Sequence, residues 1–137
     1  MSKSRIFNLA ILIGMGTFLF FQTGLASKFS KNAIAPADAV KAVQSSTAIL
    51  VDVREKEEVD QGMIQGAIWI PLSEISSQSP NATAELAKLD RSKEILLYCR
   101  SGGRSGRAAQ ILEKQGFKVR NAGGYSGLLG AGMKSTK

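Results

Sequence analysis

From residue 36 onward the chain alternates short apolar runs with amphipathic stretches, and most runs carry their own stop signal. Pro36 suits the first turn of a helix whose Ala39, Val40 and Val43 fall on one face, while residues 27 to 35 read as a linker or a short edge strand. Ala48 to Val53 follows as a strand. Its apolar residues run on without strict alternation, the habit of a strand buried on both faces of a parallel sheet. Glu55 to Gln61 predicts a short helix that begins acidic, as the helix dipole favours, and closes at Gly62. Ala67 to Ile70 is a further strand, stopped by Pro71.

Residues 72 to 82 are rich in serine and read as a loop, and Ala84 to Leu89 shows a short helical pattern. Glu94 to Tyr98 is the next strand and leads directly to Cys99. Beyond a glycine-containing loop, Ala108, Ile111 and Leu112 take one side of a helix and Arg107, Gln110, Glu113 and Lys114 the other. Gly116 is placed to cap it in the left-handed conformation, with Phe117 folding back on Leu112. Lys118 to Asn121 predicts a last strand, and Gly123 onward a turn and a terminal helix. Strands alternating with helices imply an α/β domain with a central, mainly parallel sheet flanked by helices. Ligands of such sheets sit beyond the carboxyl ends of the strands, so Asp52 to Glu55, Cys99 to Ser105 and Asn121 to Tyr125 are expected to meet at one edge.

The first residues have a different pattern. Lys3 and Arg5 precede a nearly continuous apolar run from Ile6 to Phe21, and Gly24 and Ala26 put small residues where a signal peptidase cuts. Residues 1–26 are expected to be a signal peptide, leaving 27–137 as the domain. The uncharged run from 6 to 27 is also long enough to span a bilayer, which makes an uncleaved membrane anchor the alternative. Either way the positive start stays inside and the domain is exported, to the periplasm or its equivalent.

Composition narrows the chemistry. The chain has no histidine and one cysteine, which excludes a Cys-His pair, a serine triad built on histidine, the usual zinc and haem sites and an internal disulfide. No cofactor or metal is called for. With Lys3 and Arg5 set aside the remainder is moderately basic, but aromatic residues are sparse and the basic ones form no stripe. Small anions are therefore the expected partners rather than nucleic acid. Asn81-Ala82-Thr83 matches a glycosylation sequon, a signal too short to weigh.

Cys99 heads the loop Arg100, Ser101, Gly102, Gly103, Arg104, Ser105, between a strand end and a helix start. The glycines allow backbone N–H groups to converge on the sulfur. The helix N-terminus together with Arg100 and Arg104 favours negative charge, which depresses the thiol pKa without a separate base. The same donors suit an anionic substrate or a persulfide. The plainer alternative makes Cys99 a small buried hydrophobe beside a tight turn.

These residues, with Gly106-Arg107-Ala108-Ala109 and Leu112 behind them, resemble the active-site loop and helix of single-domain rhodaneses. The likeness extends to Asp52-Val53-Arg54-Glu55, Glu58 and Gly62, Gln65-Gly66-Ala67, Ile70-Pro71 and Gly123-Gly124, over roughly residues 30 to 132. It implies a sulfurtransferase that moves a sulfane sulfur from a donor such as thiosulfate to a nucleophilic acceptor, cyanide in vitro or a thiol or redox protein in the cell. By the resemblance Cys99 carries the persulfide, residues 100 to 105 form the substrate-binding loop, Arg100 and Arg104 meet the anion, and Asp52 and Arg54 support the loop by polar contacts. Met63 stands where the family usually has histidine and Leu128 where it often has tryptophan. Two rival functions are a partner-binding module without catalysis and a cysteine phosphatase or arsenate reductase. The phosphatase loop is C-x5-R, and this chain has Ser105 at the arginine position.

Overall fold

The computed structural model describes residues 32–137. The expected signal peptide or anchor lies outside the described residues. Within them the order is α1 (Pro36–Gln44), β1 (Ala48–Asp52), α2 (Lys56–Val59), β2 (Ile68–Trp69), α3 (Leu72–Ser77), α4 (Pro80–Ala87), β3 (Glu94–Cys99), α5 (Gly103–Lys114), β4 (Val119–Gly124) and α6 (Tyr125–Gly130). The four strands form one parallel sheet in the order β2-β1-β3-β4. Ala33 adds an isolated parallel bridge to Asn121, so the edge-strand reading of that stretch survives as a single residue pair.

The central strand β3 shows why the sheet is covered on both faces. Ile95, Leu97 and Cys99 point to one side and join Ile75, Ala82, Leu86, Ala108 and Leu112 of α3, α4 and α5. Leu96 and Tyr98 point to the other and join Ala39 of α1 and Leu128 of α6. A strand alternating between two apolar layers cannot show a polar face, which explains its unbroken hydrophobic run.

Two readings are corrected. Residues 72 to 82 are mostly helical, because Pro71 and Ser79 each begin a short helix, the first docking on the core through Ile75 and the second through Ala82 and Leu86. Burial of one residue per turn is too sparse a signal to stand out among serines. The helix after Cys99 also begins earlier than its apolar pattern, at Gly103, because Ser105 and then Ala108 and Ala109 face inward. Gly116 does take the left-handed conformation, with φ of +89°, and the Phe117 N–H donates to the Leu112 carbonyl.

β1 lies between β2 on one side and β3 on the other, so the chain reverses its direction of travel across the sheet at β1 and β3. Connections from neighbouring strand ends there depart to opposite faces and leave a crevice. Asp52 ends β1 and Cys99 ends β3.

Candidate active site

Cys99 is fully buried, and its sulfur lies inside the loop that follows it. Gly102 has φ of +98°, and its N–H donates to Sγ at 3.0 Å. A side chain at Gly102 would also meet the Cα of Gly123 at 3.3 Å, so glycine satisfies both the turn and the close approach. The hydroxyl of Ser105 lies 3.4 Å from Sγ. Burial opposes ionisation of the thiol, but the Ser105 hydroxyl and the backbone N–H groups of Ser105, Ser101 and Gly102 outweigh it, and the pKa falls below its ordinary value. These donors carry the effect that the sequence reading gave to the two arginines.

Arg104 is already engaged. Its guanidinium donates through Nη1 and Nη2 to the two carboxylate oxygens of Glu58 at 2.6 and 2.7 Å. Glu58 is held for this at the third position of α2, where it completes a capping box by accepting the Glu55 N–H at 3.2 Å. The Arg104 hydrogen bonds hold the Glu58 carboxyl down at about 2, against the opposing pull of its burial. The pair fastens the first turn of α5 to α2. Arg100 is exposed, as is Ser101, and Gly103 lies open at the start of α5.

Asp52 and Arg54 form a second, buried unit. Arg54 donates to Asp52 through Nε at 3.1 Å and Nη2 at 2.8 Å, and its own backbone N–H adds another bond to Oδ1 at 2.9 Å. The Tyr98 hydroxyl donates to Asp52 Oδ2 at 2.6 Å and accepts the Ile64 N–H at 3.0 Å. Arg54 Nη2 also donates to the Gly62 carbonyl at 2.7 Å. Among the described residues these bonds tie β1 to the Gly62 turn, and none reaches residues 100 to 105, which corrects the expectation of direct polar support. Arg54 reaches the site by another route: its guanidinium lies 4.4 Å from the centre of the Tyr125 ring.

The three strand ends converge. Asn121 Nδ2 donates to the Gly102 carbonyl at 2.9 Å, and Gly124 lies so close to the loop that an added Cβ would come within 2.6 Å of the Arg100 carbonyl oxygen. A cleft of about 640 Å³ opens beside them, lined by Arg54, Glu58, Gly62, Arg100, Ser101 and Tyr125 among others. Glu58, Tyr98 and Asn121 emerge as site residues without having been singled out for these roles. Glu58 had a signal in the family likeness, and Asn121 in its position at a strand end facing the loop.

At the two departures from the family pattern, Met63 acts through its backbone, accepting the Thr136 N–H at 2.9 Å and donating to Thr136 Oγ1 at 3.2 Å. Leu128 is fully buried in the layer with Tyr98 and Leu96. Among the described residues no cluster of side chains has the makeup of a metal site, and no helix is long and apolar enough to cross a membrane.

Comparison with known proteins gives a consistent picture. The rhodanese-like domain matches residues 35–131. The chain is 39% identical over 75 residues to the thiosulfate sulfurtransferase PspE of Escherichia coli, a stretch covering 54% of this chain and 67% of that one. The chain spans about two thirds or less of the length of the curated relatives it matches. Among solved structures, the human single-domain sulfurtransferase TSTD1 superposes with a TM-score of 0.62 at 28% identity, covering 72% of this chain and 96% of that one. A rhodanese from Escherichia coli solved with anions gives a TM-score of 0.53 at 36% identity, covering 66% and 98%.

Proposed function

The chain belongs to the rhodanese-like domain family, and we propose that it transfers sulfane sulfur through a persulfide on Cys99. Its sulfurtransferase relatives support sulfur transfer as the class of reaction. The observation that carries the reading is the placement of Cys99 Sγ under converging N–H and O–H donors, beside a cleft bordered by Arg100.

In the first step the Cys99 thiolate attacks the outer sulfur of a donor such as thiosulfate. The new S–S bond forms as the old one breaks, and sulfite departs with the bonding pair. The negative charge then rests on the outer sulfur of the persulfide, where loop N–H groups stabilise it. In the second step cyanide, or the thiolate of a small molecule or redox protein, attacks that outer sulfur and Cys99 leaves as thiolate. Electrons balance within the two displacements, and no cofactor takes part.

Arg100 meets the sulfonate end of the donor, since Arg104 is occupied by Glu58. Ser101, Gly102 and Gly103 wrap the transferred sulfur, and Ser105 supports the thiolate from the first turn of α5. Asp52 and Arg54 hold the floor of the cleft. The N-terminal pattern supports export, by way of a signal ending at Ala26 or an anchor over residues 6–27. A free thiol in an oxidising compartment persists by turning over or by reaction with a reducing partner.

The test is formation of thiocyanate from thiosulfate and cyanide by the purified chain, with Cys99→Ala as control. Activity that depends on Cys99, together with a mass gain of about one sulfur atom on Cys99 that cyanide removes, is expected. Equal activity in the variant would sink the proposal. Mass spectrometry of the mature chain tests export processing: a first residue of Ser27 fits cleavage, and an intact Met1 in a membrane fraction fits the anchor.

A further inference from the structure

Cys99 Sγ and Asn121 Oδ1 face the same hydrogen. Ser105 is fully buried, with Oγ 2.7 Å from Asn121 Oδ1 and 3.4 Å from Cys99 Sγ. A hydroxyl has one hydrogen, so a full bond can go to only one of them. Turning the Asn121 amide over would not resolve the conflict. Its Nδ2 donates to the Gly102 carbonyl at 2.9 Å and its Oδ1 accepts the Gly123 N–H at 2.9 Å, and a flip would set oxygen against oxygen and N–H against N–H. Asn121 Oδ1 is therefore a fixed acceptor.

The direction of this short chain follows the charge on sulfur. While Cys99 is a neutral thiol, its S–H can donate to Ser105 Oγ, and the Ser105 hydroxyl donates to Asn121. Once the sulfur is a thiolate it has no hydrogen to give. The hydroxyl must then turn toward sulfur, leaving Asn121 Oδ1 with the Gly123 N–H alone. We propose that Asn121 is a positioning residue for Cys99, holding the Ser105 hydroxyl off the sulfur while the sulfur is uncharged and yielding it when the thiolate forms. In the persulfide, a state that rests on the transfer reading above, Sγ is neutral and two-bonded, so the hydroxyl returns to Asn121. It swings back as Cys99 leaves in the second step, supplying a donor when charge develops on the leaving sulfur.

The charged groups at the Cys99 end of the elements around it are Arg100 and Arg104 on the loop and α5, Glu58 on α2 with Glu55 at its start, and the Asp52–Arg54 pair at the end of β1, while Lys56 and Glu57 on α2 and Arg107, Glu113 and Lys114 on α5 are exposed. Tyr98 precedes Cys99 on β3, and β4 contributes the neutral Asn121 amide and two glycines at this end. The charged groups and Tyr98 are common to all the variants compared below.

The experiment measures the pH dependence of Cys99 alkylation by iodoacetamide on the full chain. The variants are Ser105→Ala, Asn121→Ala, Asn121→Asp and each Asn121 change combined with Ser105→Ala. Ser105→Ala raises the midpoint. Loosening of the loop, and the added charge of the aspartate, enter with or without the hydroxyl and largely cancel in the double-mutant comparison. What remains is competition for the hydroxyl. With Ser105 present, Asn121→Ala therefore places the midpoint lower, relative to its effect in the Ser105→Ala background, by about half a pH unit. Asn121→Asp, a stronger acceptor, gives a difference of the opposite sign. Additive effects in both comparisons, or the same sign in both, overturn the proposal, and if Asn121→Ala does not fold the sign for Asn121→Asp decides alone. Alkylation does not depend on sulfur transfer, so an intact pattern in a chain that makes no thiocyanate would sink the transfer reading and leave the role of Asn121 in the thiol standing.

Discussion

Replacing Glu58 by Gln removes the charge that Arg104 grips while keeping the size of the side chain. The structure gives the magnitude. A carboxyl drawn from 4.5 to about 2 by a two-point guanidinium bond would be worth about 3 kcal/mol if sheltered from water. The side chains are 34% exposed for Arg104 and 27% for Glu58, so screening leaves about 1–2 kcal/mol. In a domain of this size that is a fall in melting temperature of about 4–10 °C. The folded carboxyl sits below its unfolded value, so its contribution is complete above about pH 5.5 and is lost as pH falls through 4.5 toward 2. Urea unfolding of both proteins from pH 7 to pH 3 reads this directly. The gap between them should be flat near neutrality and shrink to about a fifth or less by pH 3. A gap that is absent at pH 7, or that keeps its full size at pH 3, would refute the reasoning. Thiocyanate formation should fall as well, because α2 no longer anchors the first turn of α5.

Three further outcomes follow from the packing. Arg54→Ala leaves the fully buried Asp52 without its guanidinium partner and should cost about 3–5 kcal/mol in chemical denaturation, and a loss under 1 kcal/mol would show that the pair is dispensable. Gly124→Ala sets a methyl group against the Arg100 carbonyl at 2.6 Å, and the loop is the side that must yield. Alkylation and sulfur transfer should slow by about tenfold to a hundredfold, and unchanged rates would mean that β4 moves instead. Leu112→Ala opens a cavity in the layer beneath α5 and should cost about 2–5 kcal/mol while folded molecules keep their activity, as checked by denaturation and by initial rates below the melting temperature.

Elements whose signals are local can be read along the chain. A strand buried on both faces must be apolar throughout, and β1 and β3 are legible for that reason. Gly102 and Gly116 mark left-handed turns that side chains disfavour, and Cys99 between a strand end and a helix start declares the reactive loop. Which charges meet depends on the folded arrangement. Nothing local pairs Glu58 with Arg104, 46 positions away, or joins Tyr98 to Asp52 across the same separation. The helix α3 and the first turn of α4 were hidden because the residue each buries there, Ile75 or Ala82, finds its place only when the sheet is already there to receive it. The source of thiol activation also waited on the fold. Arginine advertises charge in a sequence, whereas a backbone N–H and a serine hydroxyl acquire their force from being buried and aimed at the sulfur.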